Sequence, residues 1–219
     1  MFDTFFSDAV EFAPTLLSGV ATTINITLLA LVISTVLGLV WALLRVSGVP
    51  ALANTSRVLT NIIRGIPIIV ILFYMYFVVP ALGVNLTAFE AGSIGLGLAY
   101  SSYMSEVFRG GIEAVDSGQF EAAQSLGMSR FKLMSRVILP QAFKIALPPY
   151  GNNVVMMLKD SSQTAVITVV ELSMQGKLIA AATFKSATVF TLVALMYLIM
   201  CLPMMYIVGK LEKRFGGGK

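Results

Sequence analysis

Two stretches of the chain carry side chains able to do chemistry. The first runs from Gly118 to Pro140 and reads GQFEAAQSLGMSRFKLMSRVILP. It sets one carboxylate, Glu121, beside Ala122 and Ala123, then a glycine, Gly127, then the cations Arg130, Lys132 and Arg136. No acid–base pair is formed by that set. It suits recognition instead. Phe120, Ala123, Phe131 and Met134 recur at helical spacing, with Ala122, Leu126, Leu133 and Val137 on a neighbouring stripe. Such a surface can fill a groove on a partner, and Glu121 can meet a cation there. Gly127 divides the stretch into two short helices, because glycine accepts φ > 0 at little steric cost. Pro140 stands near the start of the following helix, where proline is tolerated.

The second stretch is Lys159-Asp160-Ser161-Ser162-Gln163-Thr164, dense in hydroxyl, amide and charge between apolar segments. Polar groups at membrane depth are functional suspects by default. Hydroxyls and amides can bind a carboxylate and an ammonium. Asp160 and, further on, Glu171 can face a cationic group. Plainer readings stand beside these. The first stretch also fits an amphipathic loop resting on a membrane surface. Lys159 and Asp160 can form a local ion pair, Asn152 and Asn153 can bond neighbouring helices, and Tyr100 and Tyr103 read as packing residues.

Other chemistry is excluded by what the chain lacks. It has no histidine, the commonest metal ligand and general base. Its single cysteine, Cys201, sits in an apolar run and permits no intrachain disulfide. No Gly-x-x-x-x-Gly-Lys-Ser/Thr run is present to cradle ATP phosphates. No metal site or resident cofactor is expected.

The elements that hold these stretches belong in lipid. The 219 residues are 57% hydrophobic and 12% charged, with mean hydropathy +0.87, whereas soluble domains carry about 25% charged residues. The length indicates one domain over residues 1–219. Ile24–Leu44 and Val189–Val208 are clear spans, the latter despite Pro203. Ile62–Leu82 spans with Arg64 near one end. Ala88–Tyr103, rich in glycine and hydroxyls, and Ile138–Leu158, interrupted by Pro148 and Pro149, complete an all-α integral membrane fold of about five transmembrane helices. Asp3, Asp8 and Glu11 precede the first span, so it is no cleaved signal peptide. With the N-terminus outside and the C-terminus inside, 12 of 15 lysines and arginines, Lys219 among them, lie in the cytoplasm. The net charge of +4 therefore reports topology, and nucleic acid is not an expected partner.

Glu121-Ala122-Ala123, then Gly127, then Val137-Ile138-Leu139-Pro140 resembles the EAA loop of ABC-importer permeases, with Val137 replacing an isoleucine of the family pattern. Arg64-Gly65-Ile66-Pro67 resembles the family's Arg-x-x-Pro. Ser102-Tyr103-Met104-Ser105-Glu106 with Arg109-Gly110-Gly111-Ile112 resembles the segment before that loop, and Lys159-Asp160-Ser161-Ser162 resembles a Lys-Asp-Thr-Ser element. Residues 19–172 are covered, and the chain is similar to the histidine/glutamine-type permease subunits of amino-acid ABC importers. It departs at Gln163, where the family usually has leucine.

The resemblance implies the type I ABC-importer permease fold. It implies a cytoplasmic coupling loop at about 110–137, with Glu121, Ala122, Ala123, Leu126, Gly127, Phe131 and Pro140 serving the contact with an ABC ATPase dimer. That partner would bind ATP and Mg. A second permease, identical or paralogous, an external solute-binding protein meeting the outer loops near Val79–Glu90 and Gln175–Ser186, and an amino-acid substrate complete the assembly in a bacterial cytoplasmic (inner) membrane. Asp160, Ser161, Ser162, Gln163, Thr164 and Glu171 are the substrate-path candidates. The alternative is a self-contained ion-coupled secondary transporter, for which internal repeats are expected; five spans do not halve evenly.

Overall fold

In the computed structural model, which describes residues 5–215, every regular element is helical. These are α1 (Phe5–Arg45), α2 (Pro50–Gly65), α3 (Ile68–Phe73), α4 (Ala88–Glu113), α5 (Ser117–Ser125), α6 (Arg130–Leu133), α7 (Leu139–Asp160), α8 (Leu172–Thr183) and α9 (Ser186–Phe215). Asp3 and Lys219, used in the topology argument, lie outside the described residues.

The first span is longer than its apolar run. α1 has 41 residues and includes the acidic positions expected ahead of the membrane. Asp8 is buried, with Lys185 Nζ 2.7 Å from its Oδ1. A paired carboxylate avoids the cost of an isolated buried charge. Phe12 and Leu16 follow at helical spacing and pack with Leu172, Val189 and Val193 of α8 and α9.

The second span is broken. α2 meets the helix Ile68–Leu82 at 97°. Pro67 has no N–H and disfavours the helical conformation at the residue before it; Ile66 is extended, with φ −97° and ψ 129°. Beyond α3 the chain widens into a π turn at Tyr74–Val78 and tightens into a 3₁₀ turn at Val79–Leu82.

α4 continues ten residues past the expected end at Tyr103. It starts on a capping box in which Thr87 and Glu90 satisfy each other's backbone N–H. Its glycines let α1 approach closely: a Cβ at Gly97 would lie 2.8 Å from the Cβ of Ile33, and one at Gly38 of α1 2.6 Å from that of Met104. This crossing centres the core, where Ile26, Leu72, Leu96, Tyr100, Met104, Met157 and Ile167 are packed.

The expected interruption at Pro148 and Pro149 does not occur, because both lie inside α7. They leave the carbonyls of Lys144 and Ile145 without their usual helical donors, and packing against α4 and α9 keeps the helix intact. The break comes later. Ser161–Ile167 form a 3₁₀ turn, Thr168 adopts φ +67°, and α8 leaves at 52° to the helix before it. The outer loop expected over Gln175–Ser186 is thus largely helix. By length and composition α1 and α9 can each cross a membrane, and so can each of the two bent pairs taken as one. α4, at 26 residues or about 39 Å, is long enough to cross, but its glycines and serines leave it less apolar than those four.

Candidate functional site

The loop between α4 and α7 is built from its caps inward. Asp116 starts α5, its Oδ1 accepting the Gly118 N–H at 2.7 Å. Gly127 ends it at φ +71°. The Gly127 N–H donates to Gln124 O at 2.9 Å and the Met128 N–H to Ala123 O at 3.1 Å. That double closure is a Schellman turn, which glycine enters without a Cβ penalty. The φ > 0 expected at Gly127 is present.

The helical stripes do not survive the turn. Ala123 is buried with Ile112, Val115, Leu133, Ile138 and Ala142, so it fills the protein's own core and not a partner's groove. A single helical wheel cannot continue through an αL residue, which re-aims everything beyond it. Leu126 and Phe131 point outward, each 81% exposed, and Glu121, Ala122 and Gly127 are exposed beside them. The expected second short helix is the single turn of α6, which passes through a π turn at Met134–Ile138 into α7. There the Leu139 N–H donates to Met134 O, five residues back. The wider turn accommodates Pro140, which has no N–H and whose ring would crowd a regular helix. Pro140 stands at the start of α7. A cavity of about 470 Å³ lies behind the loop, lined by Arg45, Phe120, Gln124, Met128 and Arg130 among others.

Next to this cavity is a charge cluster that the sequence pattern does not reveal. Glu106 Oε1 accepts from Arg45 at 2.8 Å and from Arg64 at 3.2 Å; its Oε2 accepts from Arg109 Nε at 2.9 Å and Nη2 at 2.6 Å. Arg109 also pairs with Glu113. One carboxylate thus joins the end of α1, the end of α2 and α4. The Glu106–Arg109 spacing is legible as an i,i+3 pair; Arg45 and Arg64 come from other helices and leave no local signal.

At the polar break, the structure brings Asp160, Ser161 and Thr164 together against α4. Asp160 accepts the Tyr100 hydroxyl at 2.7 Å, so Tyr100 does more than pack. The expected Lys159–Asp160 ion pair is not formed among the described residues. Ser161 donates to Leu158 O and Thr164 to Ser161 O, both at 2.7 Å, and both side chains are buried. The Thr164 methyl lies against α4 at Gly92. Ser162 and Gln163 are half-buried. Glu171 serves α8 instead. Its carboxylate accepts the N–H groups of Ser173 and Met174 and the hydroxyl of Tyr197, each at 2.8 Å, and so caps that helix. Asn152 donates to Glu212 Oε1 on α9 at 3.0 Å, an interhelical bond as the sequence allowed. No group of metal-ligating side chains occurs among the described residues.

This arrangement has close relatives. A probable amino-acid ABC transporter permease of Sinorhizobium fredii is 40% identical over 192 residues, covering 88% of this chain and 83% of that one. The glutamine transport system permease of Escherichia coli is 34% identical over 203 residues, covering 92% and 93%. A chain in the crystal structure of an amino acid ABC transporter with histidines superposes with a TM-score of 0.89 at 36% identity, over 98% of this chain and all of that one. Residues 34–217 match the family described as binding-protein-dependent transport system inner membrane component. The dependence on a binding protein set out in that description counts against a self-contained secondary transporter. With the bent spans, the outward-facing loop at Gly127 and these matches together, the chain belongs to the inner-membrane permease family of binding-protein-dependent transport systems.

Proposed function

We propose that this chain is the permease subunit of an ATP-driven importer of amino acids or closely related polar solutes, with hydrolysis carried by a separate ATPase dimer. One observation carries the reading: a rigidly turned loop holds Leu126 and Phe131, each 81% exposed, beside exposed Glu121 and Ala122. Apolar side chains so exposed at the end of a bundle fit a partner's groove. ATP and Mg are bound by that partner, and the chain itself holds no cofactor. A second permease, identical or paralogous, completes the path. An external solute-binding protein meets the opposite end, near Val79–Glu90 and α8. The amino-acid substrate follows from the relatives' names. The inside loop is the one carrying α5, which leaves the N-terminus outside and the C-terminus inside. Thiol labelling tests the orientation, because the native Cys201 is buried. Gln119→Cys should react only from the cytoplasm and Val84→Cys only from outside; the reverse pattern sinks the assignment.

Asp160, Ser162 and Gln163 line the substrate path in this reading, while Ser161 and Thr164, buried and bonded to backbone carbonyls, hold the break in shape behind them. Glu171 drops out of the path, since its oxygens are committed to α8. The experiment is ATPase stimulation of the reconstituted complex across a panel of amino-acid-loaded binding proteins. Stimulation by none of them overturns the substrate class. Gln163→Leu should reorder the panel while basal hydrolysis and assembly persist. An amide both donates and accepts, and its loss at a substrate contact costs about 1–3 kcal/mol, roughly 5- to 150-fold. A lowered melting temperature with the panel unchanged would assign Gln163 to packing.

A further inference from the structure

We propose that Arg130 is a positioning residue, the contact through which a shift of the coupling loop reaches α2 and the bend at Gly65-Ile66-Pro67. The proposal rests on the reading of the loop as the ATPase dock and adds a route out of it. Arg130 opens α6, directly after the Gly127 turn. Its guanidinium lies over the turn between α1 and α2, donating to Val46 O at 3.4 Å. Gly48, at φ +77°, provides the seat: a Cβ there would lie 2.7 and 2.9 Å from the two terminal nitrogens of Arg130. The Val46 side chain packs on the same apolar cluster as Ala123 and Leu133. The loop therefore grips this turn by its backbone and by a side chain.

The turn leads in two directions. Arg45, just before it, bonds Glu106 at 2.8 Å. α2, just after it, bonds the same carboxylate through Arg64 at its far end, at 3.2 Å. Between those ends α2 is largely exposed; Ser56 and Thr60 alone are buried, and Ser56 holds the Trp41 carbonyl of α1 at 2.8 Å. A helix held at both ends and loosely between them moves as a rod. Its far end enters the 97° bend into α3, whose Leu72 reaches the central core. Displacement of α6 by a docked ATPase is thus delivered to that bend, with Arg130 on Gly48 as the first link.

The test uses the complete transporter with its ATPase and binding protein. Arg130→Gln removes the planar cation, and Gly48→Ala pushes it off its seat while adding the strain of a Cβ at φ +77°, which the melting temperature reports separately. Arg130 is exposed, so Arg130→Gln leaves the core untouched. The readout is the ratio of substrate-stimulated to basal ATPase rate, with melting temperature and ATPase stoichiometry measured on the same preparation. Each single variant should lower the ratio about fivefold or more, the lower end of typical coupling between sites. Stoichiometry and basal rate should hold. The double variant should fall no further than Arg130→Gln, since both remove one contact. A ratio within twofold of wild type in Arg130→Gln overturns the proposal, and so does additive loss in the double variant. Loss of the ATPase from Arg130→Gln also overturns it, by making Arg130 a docking residue. Failure of the wild-type permease to retain any ATPase would overturn the docking reading itself.

Discussion

Gly127→Trp should abolish uptake while the membrane helices still assemble. Two costs combine at this position. The first is conformational: φ +71° in a residue with a Cβ costs about 1–2 kcal/mol. The second is steric but external. A Cβ at Gly127 meets nothing within 4 Å inside the protein, so an indole there projects into open space on the loop that carries the exposed Leu126 and Phe131. It would hold an ATPase surface away from both. Gly127→Asn is the control, because asparagine tolerates the left-handed conformation and is small. It should retain uptake near wild type. Co-purification of the ATPase and uptake, measured together, decide the matter. Normal uptake with full ATPase retention in the tryptophan variant would refute the docking role of this loop.

Glu106→Gln should both destabilise the protein and disable transport. A single carboxylate faces three guanidinium groups, and the side chains involved are between 15% and 34% exposed. Hydrogen bonds to charged groups contribute about 1.5–3 kcal/mol each. Partial exposure and the repulsion among the arginines reduce the sum, and about 2–3 kcal/mol is expected for the variant. Glutamine keeps the shape and removes the charge, so the arginines are left facing one another. α2 then loses the anchor at its Arg64 end. The expected signature is a lower melting temperature with faster hydrogen exchange over residues 50–65, and uptake lost beyond what the unfolded fraction explains. Glu106→Asp should fall between, since its carboxylate is one methylene further from Arg45 and Arg64. A Glu106→Gln variant that melts with wild type and transports normally would remove the cluster from any account of function.

The helical, membrane-bound character was legible because it is a property of composition and run length. So was the turn at Gly127, where a single residue type answers a local backbone demand. Legibility ended where geometry depends on what one helix meets. Ala123 and Leu126 both read as partner-facing, and only the packing of Ile112, Leu133 and Ala142 turns Ala123 inward. Pro148 and Pro149 read as a break, yet α7 continues through them against its neighbouring helices. Pro67, which does break its span, carries the same local signal, so proline alone could not separate the two cases. The Arg45 and Arg64 contacts of Glu106 and the Asp8–Lys185 pair join residues distant in sequence, and none of them is visible to a pattern read along the chain. Glu171 was found as a polar residue in an apolar setting but not as a cap, because Tyr197 and the first turn of α8 share it.

The length of α1 sets the subunit in a mismatch with its solvent. Its 41 residues extend about 60 Å, while the hydrocarbon layer is about 30 Å thick. Phe6, Val10, Leu17, Leu28 and Val36 keep apolar side chains exposed along all of it. Transmembrane helices tilt by at most about 40°, and at that angle a crossing consumes about 26 residues. About 15 residues of α1 remain. The Asp8–Lys185 pair ties this surplus to the turn between α8 and α9. The helix therefore extends beyond the hydrocarbon layer, and the thickness of the bilayer fixes how much of it does so.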